Sequence, residues 1–175
     1  MNETKKLKIG VIGAGWFASR RHIPAIVASK DAELVALCRR NTEQLMKMAQ
    51  HFGVQNTFTD YREMINSVEM DGVIITTPHA LHYEQAKYCI NKGLHVLVEK
   101  PMAITAEEAR DLVAIANEKK RIIVVGLNPP YWAYCHFLKN LIESGRLGVI
   151  EAISINWVGD VGHVFGKIPI PDSLP

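Results

Sequence analysis

Cysteine is scarce in this chain and poorly spaced for any joint task. Cys38, Cys89 and Cys135 are the only three in 175 residues, and none forms a C-x-x-C pair. A disulfide framework, a zinc site and a dithiol redox site are therefore not expected, no metal site is read, and reduced thiols in a cytoplasmic protein fit best. No apolar run approaches the roughly 20 residues needed to cross a bilayer, and the start MNETKKLKIG has no apolar signal core. Charge of one sign is equally sparse. The formal net charge is +2, and the basic clusters are only Lys5-Lys6, Arg20-Arg21, Arg39-Arg40 and Lys119-Lys120-Arg121. Such short groups do not make a nucleic-acid or membrane surface, so neither partner is expected. Internal repeats and low-complexity tracts are also missing.

What is there is globular: 48% hydrophobic and 22% charged residues, enough for one full core. LKIGVIG (7 to 13) is a short apolar run ending in glycines, the mark of a strand buried on both faces. A helix is expected from about Trp16 to Ser29, then a second strand from Glu33 to Cys38. Asn41 with Gln44 three residues on forms an N-cap pattern, and Leu45, Met48, Ala49 and Phe52 follow on one helical face. DGVIITT (71 to 77) and LHVLVE (94 to 99) are further strands, separated by a helix that turns Ala86, Cys89 and Ile90 inward. Thr105 and Glu108 make a capping box for a helix burying Ala109, Leu112, Val113 and Ala116, before the strand RIIVVG (121 to 126). Alternating strands and helices with right-handed crossovers predict an α/β, doubly wound (Rossmann) parallel sheet over residues 1–128. Residues 129–175 differ: a linker helix over Trp132 to Ser144, a turn at Gly145 to Gly148, a strand over 149 to 158, and a proline-rich tail without period. They have the pattern of the start of a second α/β domain.

The first turn reads GAGWFA, with Gly13, Gly15 and Ala18 at the G-x-G-x-x-G/A positions. Gly13 permits the tight turn, Gly15 lets the backbone approach a pyrophosphate, and Ala18 lets the helix pack closely on the strand. Trp16 and Phe17 open the helix, whose N-terminal N–H groups suit phosphates. Three small residues packing a tight turn would leave the same trace. An NAD site of this type usually carries an acid at the end of the second strand, yet here the residues are Cys38-Arg39-Arg40-Asn41. A guanidinium can grip a 2′-phosphate, so NADP is favoured, with NAD possible; a solvated arginine pair is the plain alternative.

Glu99-Lys100-Pro101 leaves the strand LHVLVE on the edge where such folds bind ligands. Together, KIGVIGAGWFASRRHIPA, TTPHALH (76 to 82), LVEKPMAIT (97 to 105) and VGLNPPYW (125 to 132) resemble the N-terminal half of the Gfo/Idh/MocA oxidoreductase family. The resemblance implies hydride transfer between nicotinamide and the carbinol carbon of a sugar, polyol or related small-molecule substrate. It also implies a larger second domain that binds substrate and through which a homo-oligomer forms. Lys100 matches the family's catalytic lysine, which stabilises charge on the reacting oxygen; a strand-end lysine in water is the alternative. A cis Lys100-Pro101 bond would aim the ammonium group inward. Glu99 is read as an acceptor near the nicotinamide or as a group orienting a neighbour. Thr76, Thr77 and Pro78 match the turn under the cofactor, although His79 replaces a frequent asparagine. His82 matches a family histidine, with a satisfied structural role equally open, and His22 is either structural or next to substrate. Asn128 matches a recurrent asparagine, whereas Pro129 and Pro130 depart from the arginine often found nearby. Tyr131 and Trp132 fit core or lid aromatics.

The D-x-x-x-H element that members place in the second domain is missing: Val164 stands four residues after Asp160, and His163 lacks the spacing. The chain is expected to be a cofactor domain plus a fragment, inactive alone. A dinucleotide-binding module without turnover and an NAD-dependent glycoside hydrolase of the same family remain open beside the dehydrogenase.

Overall fold

The computed structural model describes residues 5–156. Six strands form one parallel sheet in the order β3-β2-β1-β4-β5-β6. They are β1 (Leu7–Ile12), β2 (Ala32–Cys38), β3 (Asn56–Phe58), β4 (Gly72–Ile75), β5 (His95–Val98) and β6 (Ile123–Val125). Strand alternation sends neighbours to opposite faces, so two apolar layers form. Ile12, Cys38, Ile75, Val96 and Val98 meet Met64, Ala86, Cys89, Ile90, Leu112 and Ala116 on one face. On the other, Val11 and Leu37 meet Ala18, Ile23, Ile26, Leu45 and Ala49. The sheet reverses its winding between β1 and β4, a point at which the carboxyl ends of strands open a crevice.

The helix expected over 16–29 is in fact two, α1 (Trp16–Arg20) and α2 (His22–Ala28), broken at Arg21 with φ −126° and ψ −67°. Pro24 explains the break. It has no N–H to give the Arg20 carbonyl and its ring would collide with that group, whereas in the first turn of a new helix the missing N–H costs nothing. Helix α3 (Thr42–Phe52) begins as the spacing predicts, with Asn41 accepting from the Gln44 N–H at 2.9 Å, and ends at Gly53 with φ +70°. Between Val54 and Met70, where the periodicity predicts no element, lie β3 and α4 (Tyr61–Ser67), the latter capped by Asp60.

Helix α5 (His82–Asn91) follows a single 3-10 turn, and α6 (Ala106–Glu118) starts at the Thr105–Glu108 capping box. Leu112 and Ala116 of α6 are buried, but Val113 is 46% exposed: the stripe facing the sheet runs through Leu112, Ile115 and Ala116, and Val113 sits about 100° around the helix from Leu112.

Contacts divide the chain after Asn128 into two compact units. In the second, α7 spans Ala133–Glu143 and ends before turns at Gly145 and Gly148, both with positive φ. The strand expected over 149–158 is not formed in its described part, 149–156. No described strand pairs with it, and without a partner for its N–H and C=O groups no ladder develops. Val149 and Ile155 are accordingly 89% and 85% exposed. The rest of that strand, the tail, Asp160 and His163 lie outside the described residues.

Candidate functional site

A cleft of about 560 Å³ opens at the carboxyl ends of β1, β2 and β4. Gly13, Gly15, Arg39, Arg40, Thr76, Thr77 and Pro78 all line it, so the glycine turn, the arginine pair and the threonine turn come together although up to 65 residues apart in sequence. The two glycines serve different ends. Gly13 has φ +83°, and a Cβ on it would lie 2.7 Å from the Thr77 nitrogen and 2.8 Å from the Thr76 carbonyl carbon. Its side chain is excluded by the protein itself. A Cβ on Gly15 would meet only the Gly13 oxygen, at 3.5 Å. Sterically, nothing among the described residues requires that glycine, and it lines the cleft. Because α1 has five residues, its N-terminus offers N–H groups but little macrodipole.

Hydrogen bonds tie the loops of this edge to one another. The Thr76 hydroxyl donates to the Gly13 carbonyl at 2.8 Å and the Thr77 hydroxyl to Gln85 Oε1 at 2.6 Å. The Arg39 guanidinium donates to the Ala14 carbonyl at 3.0 Å and also to Gln44 Oε1. It is thus committed to holding the glycine turn against α3. Arg40 is exposed and, among the described residues, makes no side-chain hydrogen bond or ion pair. Sequence position does not separate the two arginines; the structure does.

His82 is fully buried, its ring nitrogens 2.7 Å from the Pro101 carbonyl oxygen and 2.8 Å from that of Thr77. It lies beneath the surface, joining the threonine turn to the Lys100 loop, rather than facing the cleft. Lys100 is exposed just past β5, and the Lys100–Pro101 bond is cis. Glu99 is buried, with Oε1 2.8 Å from His22 Nε2 and Oε2 accepting the Lys100 N–H at 3.2 Å. Trp16 is half exposed beneath the Arg20 guanidinium, 4.8 Å from its ring centroid, and Phe17 meets His22 edge-on. Neither ring lines the cleft. Asn128 is exposed beyond β6.

Several lining residues escaped the sequence reading: Asp60, Tyr61, Arg62, Leu81, Glu84 and Gln85. Arg62 pairs with Glu84 and lies over the Tyr61 ring at 4.7 Å. Asp60 followed by Glu63 before Met64 was the available sign of a helix start, but nothing local joins it to residue 84. Cys38, also in the wall, is pushed up to about 12 by burial and then by the charge of Asp60. It is a packing group and not a nucleophile.

A parallel sheet with a glycine-lined cleft at its switch point defines a dinucleotide-binding domain of the Rossmann type. Comparison with known proteins carries this further. The model of the GFO_IDH_MocA oxidoreductase family, with an NAD-binding Rossmann fold, matches residues 7–127, and the chain belongs to that family. Glucose-6-phosphate 3-dehydrogenase of Bacillus subtilis (strain 168) is 37% identical over 150 residues, which are 86% of this chain and 42% of that protein. The scyllo-inositol 2-dehydrogenase (NADP(+)) IolW of the same organism is 30% identical over 86% of this chain and 41% of its own length. Among solved structures, the WlbA dehydrogenase from Bordetella pertussis in complex with NADH and UDP-GlcNAcA is 32% identical with a TM-score of 0.76, covering 82% of this chain and 44% of that one. The chain spans less than half the length of these relatives. Among the described residues, no helix is long and apolar enough to cross a membrane.

Proposed function

We propose that the protein carrying this chain transfers a hydride between NADP(H) and the carbinol carbon of a sugar or polyol, with Lys100 as the catalytic residue. The observation that carries this reading is the glycine-lined cleft and an uncommitted lysine on the same edge of one sheet. The relatives whose names specify a glucose phosphate or an inositol support the substrate class.

The residues fit a dinucleotide. Gly15 lines the cleft with its Cβ space open, and Gly13 with Thr76 holds the turn that leads into α1, whose first N–H groups, at Trp16 and Phe17, would serve a pyrophosphate; those of Gly13, Ala14 and Gly15 are bonded within the protein. Arg40 suits a 2′-phosphate, since a charge-assisted contact there is available to NADP and not to NAD. The nicotinamide, when bound, accepts or supplies the hydride. Lys100 donates a hydrogen bond to the carbinol oxygen and stabilises negative charge developing on it. His82 and Glu99 hold the loop that carries it. Among the described residues no substrate wall or proton partner for Lys100 is found, which supports the reading that the 175-residue chain by itself binds cofactor without turnover. The second domain expected from residue 129 onward would supply those walls and a homo-oligomer interface.

Titration of the purified chain with NADPH and NADH, followed by cofactor fluorescence, tests the reading. NADPH should bind more tightly by roughly ten- to a hundredfold, the range of a hydrogen bond to a charged group. Arg40→Ala should abolish that preference, while Arg39→Ala should lower stability and leave the preference in place. Equal affinities, or a preference that survives Arg40→Ala, would overturn the NADP assignment. Oxidation of NADPH or reduction of NADP by this chain across a panel of sugars and polyols would overturn the claim that it lacks turnover alone.

A further inference from the structure

A carboxylate buried at the end of β5 needs a reason. Glu99 is 8% exposed, and removing an ion of its size from water costs several kcal/mol unless partners replace the lost hydration. The fold makes room for it. A Cβ on Gly126, one residue past β6, would lie 2.7 Å from Glu99 Oε1 and 3.0 Å from its carboxyl carbon. Gly126 does not sit at positive φ, so its backbone does not call for glycine; the neighbouring carboxylate does. Both oxygens are used. Oε1 faces His22 Nε2 at 2.8 Å, and Oε2 accepts the backbone N–H of Lys100. His22 stands at the start of α2, immediately after the break at Arg21, with the edge of Phe17 against its ring.

We propose that Glu99 and His22 are a positioning pair for Lys100. The carboxylate fixes the peptide from which the lysine side chain departs, and the imidazole fixes the carboxylate. The pair thereby ties the direction of Lys100 to α2, which follows the phosphate-binding turn. This extends the reading of Lys100 as catalytic residue and rests on it for its effect on turnover, but the geometric claim concerns the chain itself. The role is one of hydrogen bonds, which an amide in place of the acid also makes. Alanine at 126 is an independent route to the same effect, because it displaces the carboxylate without altering its chemistry.

The test compares wild type with Glu99→Ala, Glu99→Gln, His22→Ala, His22→Gln, Gly126→Ala and the double variant Glu99→Ala/Gly126→Ala. In the complete protein, Glu99→Ala and Gly126→Ala should each lower kcat by about tenfold or more, the scale of one lost hydrogen bond to a charged group. The KM for NADPH should stay within about twofold, because the lost contact orients the lysine and does not bind the cofactor. Gln at 99 and at 22 should recover most of what Ala loses, and the double variant should be no worse than the poorer single, since both remove one interaction. A second readout needs no turnover: the 13C signal of reductively methylated Lys100 in the 175-residue chain, assigned by its loss in Lys100→Arg. It should move in the same sense in Glu99→Ala, His22→Ala and Gly126→Ala, and stay near wild type in the Gln variants. Gly126→Ala and the Gln variants keep the question decidable if Glu99→Ala fails to fold. A Lys100 signal unchanged by Gly126→Ala, additive losses in the double variant, or cofactor affinity falling in step with kcat would each overturn the pairing. Wild-type protein without turnover but with the expected movement of the Lys100 signal would sink the dehydrogenase reading and leave the positioning pair standing.

Discussion

Alanine at Gly13 and alanine at Gly15 are the same chemical change two residues apart, and the structure assigns them opposite consequences. At Gly13 the methyl group must occupy a left-handed backbone, φ +83°, and must enter a space 2.7 Å from the Thr77 nitrogen and methyl group and 2.8 Å from the Thr76 carbonyl carbon. The backbone term is about 1–2 kcal/mol, and displacing packed neighbours adds about 1–3. Gly13→Ala should therefore lose about 2–5 kcal/mol of stability, and with a slope of about 2 kcal/mol per molar urea the midpoint should fall by about 1–2.5 M. At Gly15 the backbone is extended, φ −106° and ψ −161°, and the new methyl group finds one oxygen at 3.5 Å. Only the loss of glycine from an N-cap counts there, about 0.5–1 kcal/mol, so the midpoint should move by less than about 0.5 M. Cofactor affinity should reverse the order. Gly15→Ala puts a methyl group where a pyrophosphate must approach, and NADPH affinity should fall at least about tenfold in a protein that remains folded. Urea unfolding followed by circular dichroism and cofactor fluorescence supplies both readings. A Gly15→Ala protein that binds NADPH as wild type does would refute the placement of the phosphate site, and a Gly13→Ala protein of wild-type stability would refute the steric account of the turn.

In the complete protein, Lys100→Ala should slow turnover by about a hundredfold or more while cofactor affinity stays within a few-fold, as expected for a group acting on the reacting oxygen; steady-state rates and fluorescence titration separate the two, and a loss of binding without loss of maximal rate would make the lysine a phosphate anchor. Stability should fall on the alkaline side. Burial pushes Cys38 and Cys89 up to about 12 from an ordinary 9.0, and burial with the charge of Glu84 pushes Tyr61 from 10.0 to about 12. Above pH 9 the unfolded chain releases protons that the folded chain keeps, so the stabilisation present below pH 9 drains away as pH rises toward 12. Urea midpoints at pH 8 and pH 10 should show the drop, and Cys38→Ala/Cys89→Ala should flatten it; a midpoint unchanged at pH 10 would contradict these environments.

The parts of the fold legible in the sequence were those governed by local rules over enough residues. Thr105 with Glu108, and Asn41 with Gln44, mark helix starts because each satisfies its own N–H groups within three residues. The apolar runs of β1, β2, β4 and β5 read as strands because both sides of the sheet cover them. β3 has three residues and α4 has seven, fewer than a period needs in order to show. The break at Arg21 was written in Pro24, but proline in the first turn and proline inside a helix leave the same letter in the sequence. Of the site, the glycine turn and the lysine were visible as motifs. The His22–Glu99 pair was not, since 77 residues separate its members and only the parallel order of β1, β4 and β5 brings them together.

Among the residues assigned to the candidate site, the polar groups differ in whether the protein itself satisfies them. Thr76, Thr77, Arg39, Glu99 and the buried His82 have hydrogen-bond partners within the protein, each joining one loop to another or to a neighbouring helix. These bonds hold the edge in one arrangement without a ligand, so a cofactor meets loops whose ordering entropy is already spent in folding. Arg40 and Lys100 are instead exposed charges that, among the described residues, have no side-chain partner, one at the end of β2 and one past β5. Gly15, whose backbone N–H and C=O are bonded to Gly13 and Ser19, adds only the space of its missing side chain beside the cleft. A phosphate-bearing ligand that reaches from the glycine turn toward both cations would give each of them a charge-assisted partner, which the described residues of the protein do not.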